Sequence, residues 1–187
     1  MKKQKKKKAG ESLSYTQQVR WNKQEKAFWE KYFNNPPAPE DIPAHVNHLR
    51  FRSCDINDEE IGFLVGRVKS IGMLDLDDAL ITNEAIRHLT RLEHIDELRL
   101  KGCTELDNDC VPWLTQLKGL QLLHLAGTNI TIDGLTNMQS LSDLDKLFLS
   151  VETGKDIAAK MRELKDQLPG CNFYMNYTLY EFEENSI

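Results

Sequence analysis

No stretch of this sequence approaches the roughly 20 apolar residues that a membrane-spanning helix requires, so nothing in it reads as a transmembrane segment. Paired cysteines are missing as well. Cys54, Cys103, Cys110 and Cys171 stand 49, 7 and 61 positions apart, and without a C-x-x-C pair there is no zinc knuckle or thioredoxin-type motif to consider. Reduced thiols in a cytosol-like compartment are the simpler reading. The basic start from Lys2 to Lys8 leads into no apolar run, which argues against a secretory signal, and the first arginine is Arg20, where a mitochondrial presequence is rich in arginine. A cytoplasmic location is expected, with a mitochondrial one as the alternative. A phosphate loop is absent too. Thr153-Gly-Lys-Asp156 would need glycine in place of Leu149 and a hydroxyl residue in place of Asp156.

What is present is the composition of one ordinary domain: 187 residues, 40% hydrophobic and 28% charged. The net charge of −5 hides an asymmetry. Apart from the six lysines of the first eight residues, the chain holds 18 basic and 29 acidic residues, a balance of −11. A lysine cluster of this kind reads as a solvated tail. No aromatics interleave with it for stacking on bases, and the acidic body opposes a polyanion, so nucleic acid is disfavoured as a partner.

Five segments align without gaps: Val46–Cys54, Ile71–Ala79, Ile95–Cys103, Leu120–Thr128 and Leu144–Leu149. Their central leucines, Leu49, Leu74, Leu98, Leu123 and Leu147, recur at intervals of 25, 24, 25 and 24 residues. The L-x-L centre of each copy is expected to be a short strand with alternate side chains turned inward. Between copies runs an apolar set at helical spacing: Ile61, Leu64 and Val68; Ile86, Leu89 and Leu92; Val111, Leu114 and Leu117; Leu135, Met138 and Leu141. One such unit cannot bury its apolar side alone, whereas stacked units share a continuous core. Cys54 and Cys103, two repeats apart, would lie about 9–10 Å from each other at the ~4.8 Å strand spacing. That exceeds the ~7 Å Cα separation a disulfide tolerates, so both should stay free.

The two ends depart from the pattern. Residues 1–14 read as a basic tail, and 15–45 as an N-terminal capping helix with a Pro-rich connector, the helix stopping at Asn34-Asn-Pro-Pro-Ala-Pro39. Residues 46–177 hold the five repeats and a terminal strand near Cys171–Tyr177, preceded by an amphipathic helix through Ile157, Met161, Leu164 and Leu168. Residues 178–187 read as an acidic tail.

The pattern L-x-x-L-x-L-x-x-(Cys/Asn/Thr) over about residues 46–176 resembles the leucine-rich repeat family. The resemblance implies an α/β leucine-rich repeat solenoid: a short right-handed β-α horseshoe with a parallel concave sheet, convex helices and an N-terminal capping helix. It also implies a non-enzymatic module that binds a protein partner through the concave face and the capping region. Within it, Leu98–Cys110 with Trp113-Leu-Thr-Gln-Leu117 is similar to one repeat of the mitochondrial ATP synthase subunit s (coupling factor B) family. That narrower likeness implies, as the alternative, an assembly or regulatory subunit of a larger, membrane-associated complex. Gly127–Leu135 is nearer to bacterial repeats of the G-T-x-I-T-D-x-G-L kind.

Strand alternation names the side chains on the free face of the sheet. One row is Arg50, Asp75, Arg99, His124 and Phe148. The next is Arg52, Asp77, Lys101, Ala126 and Ser150, and a third is His48, Met73, Glu97, Leu122 and Lys146. Arg50, Arg52, Asp75, Asp77, Arg99, Lys101, Leu122, His124 and Phe148 are the candidate partner-binding residues. Asp75 and Asp77 are each expected between two cations, each pair contributing ~0.2–1 kcal/mol. No catalytic, cofactor or metal set emerges. Asp75, Asp77 and Asp78 lack the convergence of an oxygen-ligated cation site, and His124 has no nucleophile with an orienting carboxylate nearby. Six strands offer a strip about 25 Å long, roughly 250 Å² against the ~800 Å² per partner of a stable complex, so loops or the segment 15–33 should join the interface. Partner identity and oligomeric state are not encoded in the periodicity.

Overall fold

A computed structural model describes residues 15–33, 42–52, 56–152, 154 and 156–182. The lysine cluster, most of the Pro-rich connector, Cys54 and the last five residues lie outside them. The chain divides into two units, residues 1–38 and 39–187. In the first, Tyr15–Tyr32 forms α1. Its aromatic residues follow the i, i+4 spacing that brings helical side chains together: Phe28 meets Tyr32 at 5.3 Å between ring centroids, and Trp29 meets Phe33 at 4.9 Å.

The second unit is an α/β fold in which a seven-stranded, mostly parallel sheet alternates with helical segments. The strands are β1 (His45–Arg50), β2 (Ser70–Asp75), β3 (His94–Arg99), β4 (Leu122–His124), β5 (Lys146–Leu149), β6 (Asn172–Met175) and β7 (Thr178–Leu179), in sequential order. β1 to β6 pair in parallel, and the register sets Leu49 beside Leu74, Leu74 beside Leu98, Leu98 beside Leu123, Leu123 beside Leu147 and Leu147 beside Phe173. All six are buried, as are Phe51, Leu76, Leu100, Leu125, Leu149 and Met175 two positions later. A register slip of one residue would turn this whole row outward, so the pattern admits one pairing. Backbone bonds continue past the strand ends, with Leu76, Leu100 and Leu125 donating to the carbonyls of Arg99, His124 and Phe148 at 2.8–2.9 Å. In the turn that follows, Asp78, Gly102 and Gly127 repeat a left-handed conformation. Glycine is the unstrained residue for that conformation, and a Cβ at Gly102 would collide with Asp78 Oδ1.

The helical segments are unequal. They are α2 (Asp58–Arg67), α3 (Asn83–Leu89), a 3₁₀ turn leading into α4 (Val111–Leu114), and α5 (Ala158–Gln167). α2 starts with a capping box in which Asn57 Oδ1 accepts from Glu60 N–H and Glu60 Oε2 accepts from Asn57 N–H, both at 3.1 Å. The helical spacing of Leu135, Met138 and Leu141 predicts a fourth helix, but that crossover contains two 3₁₀ turns, Ile132–Gly134 and Met138–Ser140. Gly134 and the left-handed Asn137 interrupt the run, yet Leu135, Met138 and Leu141 are still buried. Consecutive segments touch, α2 against α3 and α3 against α4. Their starts are tied by polar pairs that recur with the repeat. Asp58 accepts from Thr82 N–H (2.8 Å), Asn83 Nδ2 donates to Asp107 (2.6 Å), and Asn108 Oδ1 accepts from Thr131 N–H (2.9 Å).

The far edge is more structured than the sequence suggests. Residues 178–182, assigned above to an acidic tail, include β7, which pairs antiparallel with β6. Asn176 and Tyr177, both at positive φ (49° and 69°), form the two-residue turn between them. Phe182 then packs on Tyr180 and on the core residue Phe173, with centroids 5.0 and 6.0 Å away. The signal is weak because β7 is two residues long and has no counterpart in the other repeats. No helix among the described residues is long and apolar enough to cross a membrane.

The buried leucine row supports a direct test. Leu98→Ala, in the central strand, is expected to cost about 2–5 kcal/mol in urea unfolding. Leu80→Ala, at a side chain 71% exposed, should stay within about 0.5 kcal/mol of wild type. Equal losses would contradict the register.

Candidate functional site

The residues between the leucines form their own row on the opposite face. Arg50 stands beside Asp75, Asp75 beside Arg99, Arg99 beside His124, His124 beside Phe148, and Phe148 beside Tyr174. A second row runs His48, Met73, Glu97, Leu122, Lys146, Asn172. Arg52, Asp77 and Lys101 follow the strand ends, two positions beyond Arg50, Asp75 and Arg99. Arg50, Arg52 and Lys101 are exposed, whereas Arg99, Leu122, His124 and Phe148 are half-buried. The row is charged toward β1 and aromatic toward β6.

The charges are not compensated as the alternation suggests. Asp75 and Asp77 are 1% and 7% exposed, and among the described residues a single cation serves both. Arg52 Nε donates to Asp75 Oδ2 at 2.6 Å, and its Nη2 lies 3.5 Å from Asp77 Oδ2. Arg99, expected to flank Asp75, pairs instead with Glu97 at 3.0 Å. Residues two apart on one strand share a face, so this neighbour competes with the cross-strand carboxylate. The Lys101 ammonium lies over the Tyr177 ring, 5.7 Å from its centroid. Only the Lys101 backbone N–H reaches Asp77, donating to Oδ1 at 3.0 Å. Arg50 has no carboxylate partner among the described residues.

Burial has its usual effect on the groups at the floor of this face. The Asp77 carboxyl is pushed above the ordinary 3.8, first by desolvation and then by the neighbouring Asp75, against the opposing pull of the Lys101 N–H, His124 and Arg52. His124 is held below the ordinary 6.5, chiefly by desolvation, with Asp77 opposing and Arg99 and Lys101 adding to the effect. His124 Nε2 and Arg99 Nε are both shielded from water and without a hydrogen-bond partner.

The aromatic end is a continuous cluster. His124 meets Phe148 edge-on at 4.9 Å, Phe148 stacks on Tyr174 at 4.4 Å, and Tyr177 stands edge-on to His124 at 5.9 Å. Tyr174 and Tyr177 are absent from the rows read from sequence. Tyr174 lies 26 residues after Phe148 rather than 24 or 25, and stepping the repeat once more finds it. Tyr177 enters through a turn, for which the repeat gives no signal. Leu122 shares the face, in the row with Glu97 and Lys146.

Three cysteines lie in the core of the second unit, Cys103, Cys110 and Cys171. Burial pushes the Cys103 thiol up to about 11 and those of Cys110 and Cys171 up to about 12, the opposite of an activated thiolate. All three are free thiols. Among the described residues no group of three histidines, cysteines or carboxylates could hold a metal ion.

Two measurements follow. Removing the shared cation by Arg52→Ala should cost about 1–3 kcal/mol, because it strips a charged hydrogen bond from a buried carboxylate. Arg50→Ala should change stability by less than about 0.5 kcal/mol. Urea unfolding of the two variants separates these cases, and equal effects would contradict the assigned pairing. The second concerns pH. A histidine with a lowered folded pKa loses stability as pH falls from 6.5 through its folded value, because the unfolded chain takes up the proton first. His124→Phe should therefore flatten the loss of stability below pH 6.5, leaving the part due to His88, which burial also lowers. An unchanged slope would contradict the burial of the ring.

No protein-family model matches this chain, and no curated protein matches it.

Proposed function

We propose that residues 46–177 form a leucine-rich repeat solenoid whose sheet is the concave face, and that the protein is a non-enzymatic interaction module binding a protein partner through that face. The observation that carries this reading is the pair of alternating rows on every parallel strand: a leucine row that builds the core, and beside it a row of Arg50, Asp75, Arg99, His124, Phe148 and Tyr174 that builds none of it. The second row combines exposed arginine and aromatic side chains, the residue types enriched among binding hot spots. The cytoplasmic assignment and the likeness of residues 98–117 to subunit s belong to the same proposal. They concern where such a module works and on what assembly.

A stack of short strands is narrow. Seven strands at ~4.8 Å span about 30 Å, and with about 10 Å of readable strand they offer roughly 300 Å², well short of the ~800 Å² that each partner buries in a stable complex. Loops flanking the strands therefore take part, and Leu80, in the loop after β2, is the most exposed large apolar side chain among the described residues.

The test is capture with the intact chain and with the Arg50→Glu, Phe148→Ala double variant, followed by affinity measurement for each captured protein. The double variant is expected to keep its fold by circular dichroism and to bind a true partner at least about thirtyfold more weakly, as the loss of a hot spot worth 2 kcal/mol or more demands. Unchanged affinity would overturn the assignment of the face.

A further inference from the structure

The same face carries information about what it binds. Its opposite charges are separated by depth except at Glu97, which is half-buried and neutralised by Arg99 beside it. The carboxylates of Asp75 and Asp77 lie at the floor, 1% and 7% exposed, while Arg50, Arg52 and Lys101 are exposed. Arg52 is bound to both carboxylates, so an incoming basic group would have to displace it to reach either one. Arg50 and Lys101 have no carboxylate of their own among the described residues. A partner therefore meets cations first, although the chain as a whole carries −5.

Two further features point the same way. Among the described residues Arg99 Nε has no acceptor and His124 Nε2 no hydrogen-bond partner, and the two residues are adjacent in register. An oxygen delivered to Arg99 Nε would satisfy that donor, since a buried donor left unpaired is costly. Tyr177, 58% exposed, sits at φ 69° in the second position of its turn. Glycine is the relaxed residue there, and strain of this kind persists where the surroundings hold it. The contacts that hold Tyr177 are His124 and Lys101, and the result is an aromatic platform extended at its exposed end.

Resting on the reading of this face as a docking surface, we propose that it takes an extended acidic segment of a partner protein, with carboxylates over Arg50, Arg99 and Lys101 and an apolar side chain seated on Phe148, Tyr174 and Tyr177. Charge complementarity of this kind sets which sequences are admitted and in which orientation. The aromatic platform supplies the contact area.

The test uses the full chain and a fluorescent peptide of glutamates with one central tryptophan. Comparators are the same peptide with lysine for glutamate, the same peptide with glycine for tryptophan, and a uridylate oligomer. The acidic tryptophan peptide should bind best, more weakly as salt rises. Its affinity should fall roughly tenfold or more with Arg50→Glu, Lys101→Glu or Tyr177→Gly, the size expected of central contacts. Tyr177→Gly should keep or raise the Tm while losing affinity, a combination that a merely structural residue would not give. Replacing the six N-terminal lysines by glutamine should leave binding unchanged. Tighter binding of the lysine peptide or of the oligomer through the same residues would overturn the acidic-segment assignment and leave the docking face standing. Binding unaffected by the face variants would overturn both. A chain ending at Phe182 that bound the peptide tenfold more tightly would assign the face to the chain's own Glu183–Ile187 instead. Absence of binding at millimolar peptide would also overturn the inference, whereas the docking face is judged separately by the double variant.

Discussion

Leucine meeting leucine across parallel strands is the constraint on which the rest of the second unit depends. Six neighbouring side chains, Leu49 to Phe173, occupy one register row and are buried. Because side chains alternate along a strand, fixing that row fixes its neighbour. Arg50, Asp75, Arg99, His124, Phe148 and Tyr174 share the opposite face because the leucines between them cannot. The polar pairs at the starts of the helical segments repeat with the same period. They tie the first four crossovers one to the next without adding a constraint of a different phase. On the proposed reading, recognition and stability are interleaved residue by residue, and a change in one row need not disturb the other.

The consequence for the face is electrostatic. A carboxylate placed between strands in the first half of the sheet loses water, and a cation and backbone N–H groups offset that cost. Asp75 has the Arg52 guanidinium and the Asp77 N–H. Asp77 has the Lys101 N–H and a longer approach from the same guanidinium. With one arginine over two buried acids, Arg50 and Lys101 keep no carboxylate partner among the described residues, while Arg99 pairs with Glu97. Arg50, Arg52 and Lys101 thus stand exposed above a negative floor, while the second half of the sheet is aromatic.

Much of this was legible in the sequence because periodicity carries long-range information. An interval of 24 or 25 residues between leucines is a statement about which residues become neighbours, and the pairings His48–Met73, Arg99–His124 and His124–Phe148 follow from it. What failed was whatever depends on side-chain reach rather than phase. Arg99 choosing Glu97, Lys101 lying on Tyr177, and Arg52 serving two acids are choices among near-equal partners that no spacing encodes. The fourth crossover misled for another reason. Its apolar spacing satisfies a helix, but Gly134 and Asn137 set the backbone into 3₁₀ turns that bury the same residues. β7 and Tyr177 have no repeat counterpart, so the periodicity could not announce them.

The central claim, that one face of the sheet is reserved for recognition, is tested most directly by hydroxyl-radical footprinting of the chain alone and with a bound partner. The side chains to compare are Phe148, Tyr174 and Tyr177 on the outward row and Trp113 in α4, all of which are at least partly accessible. The account predicts that the first three lose reactivity on binding while Trp113 keeps its own. Protection of Trp113 with Phe148, Tyr174 and Tyr177 unchanged would contradict it.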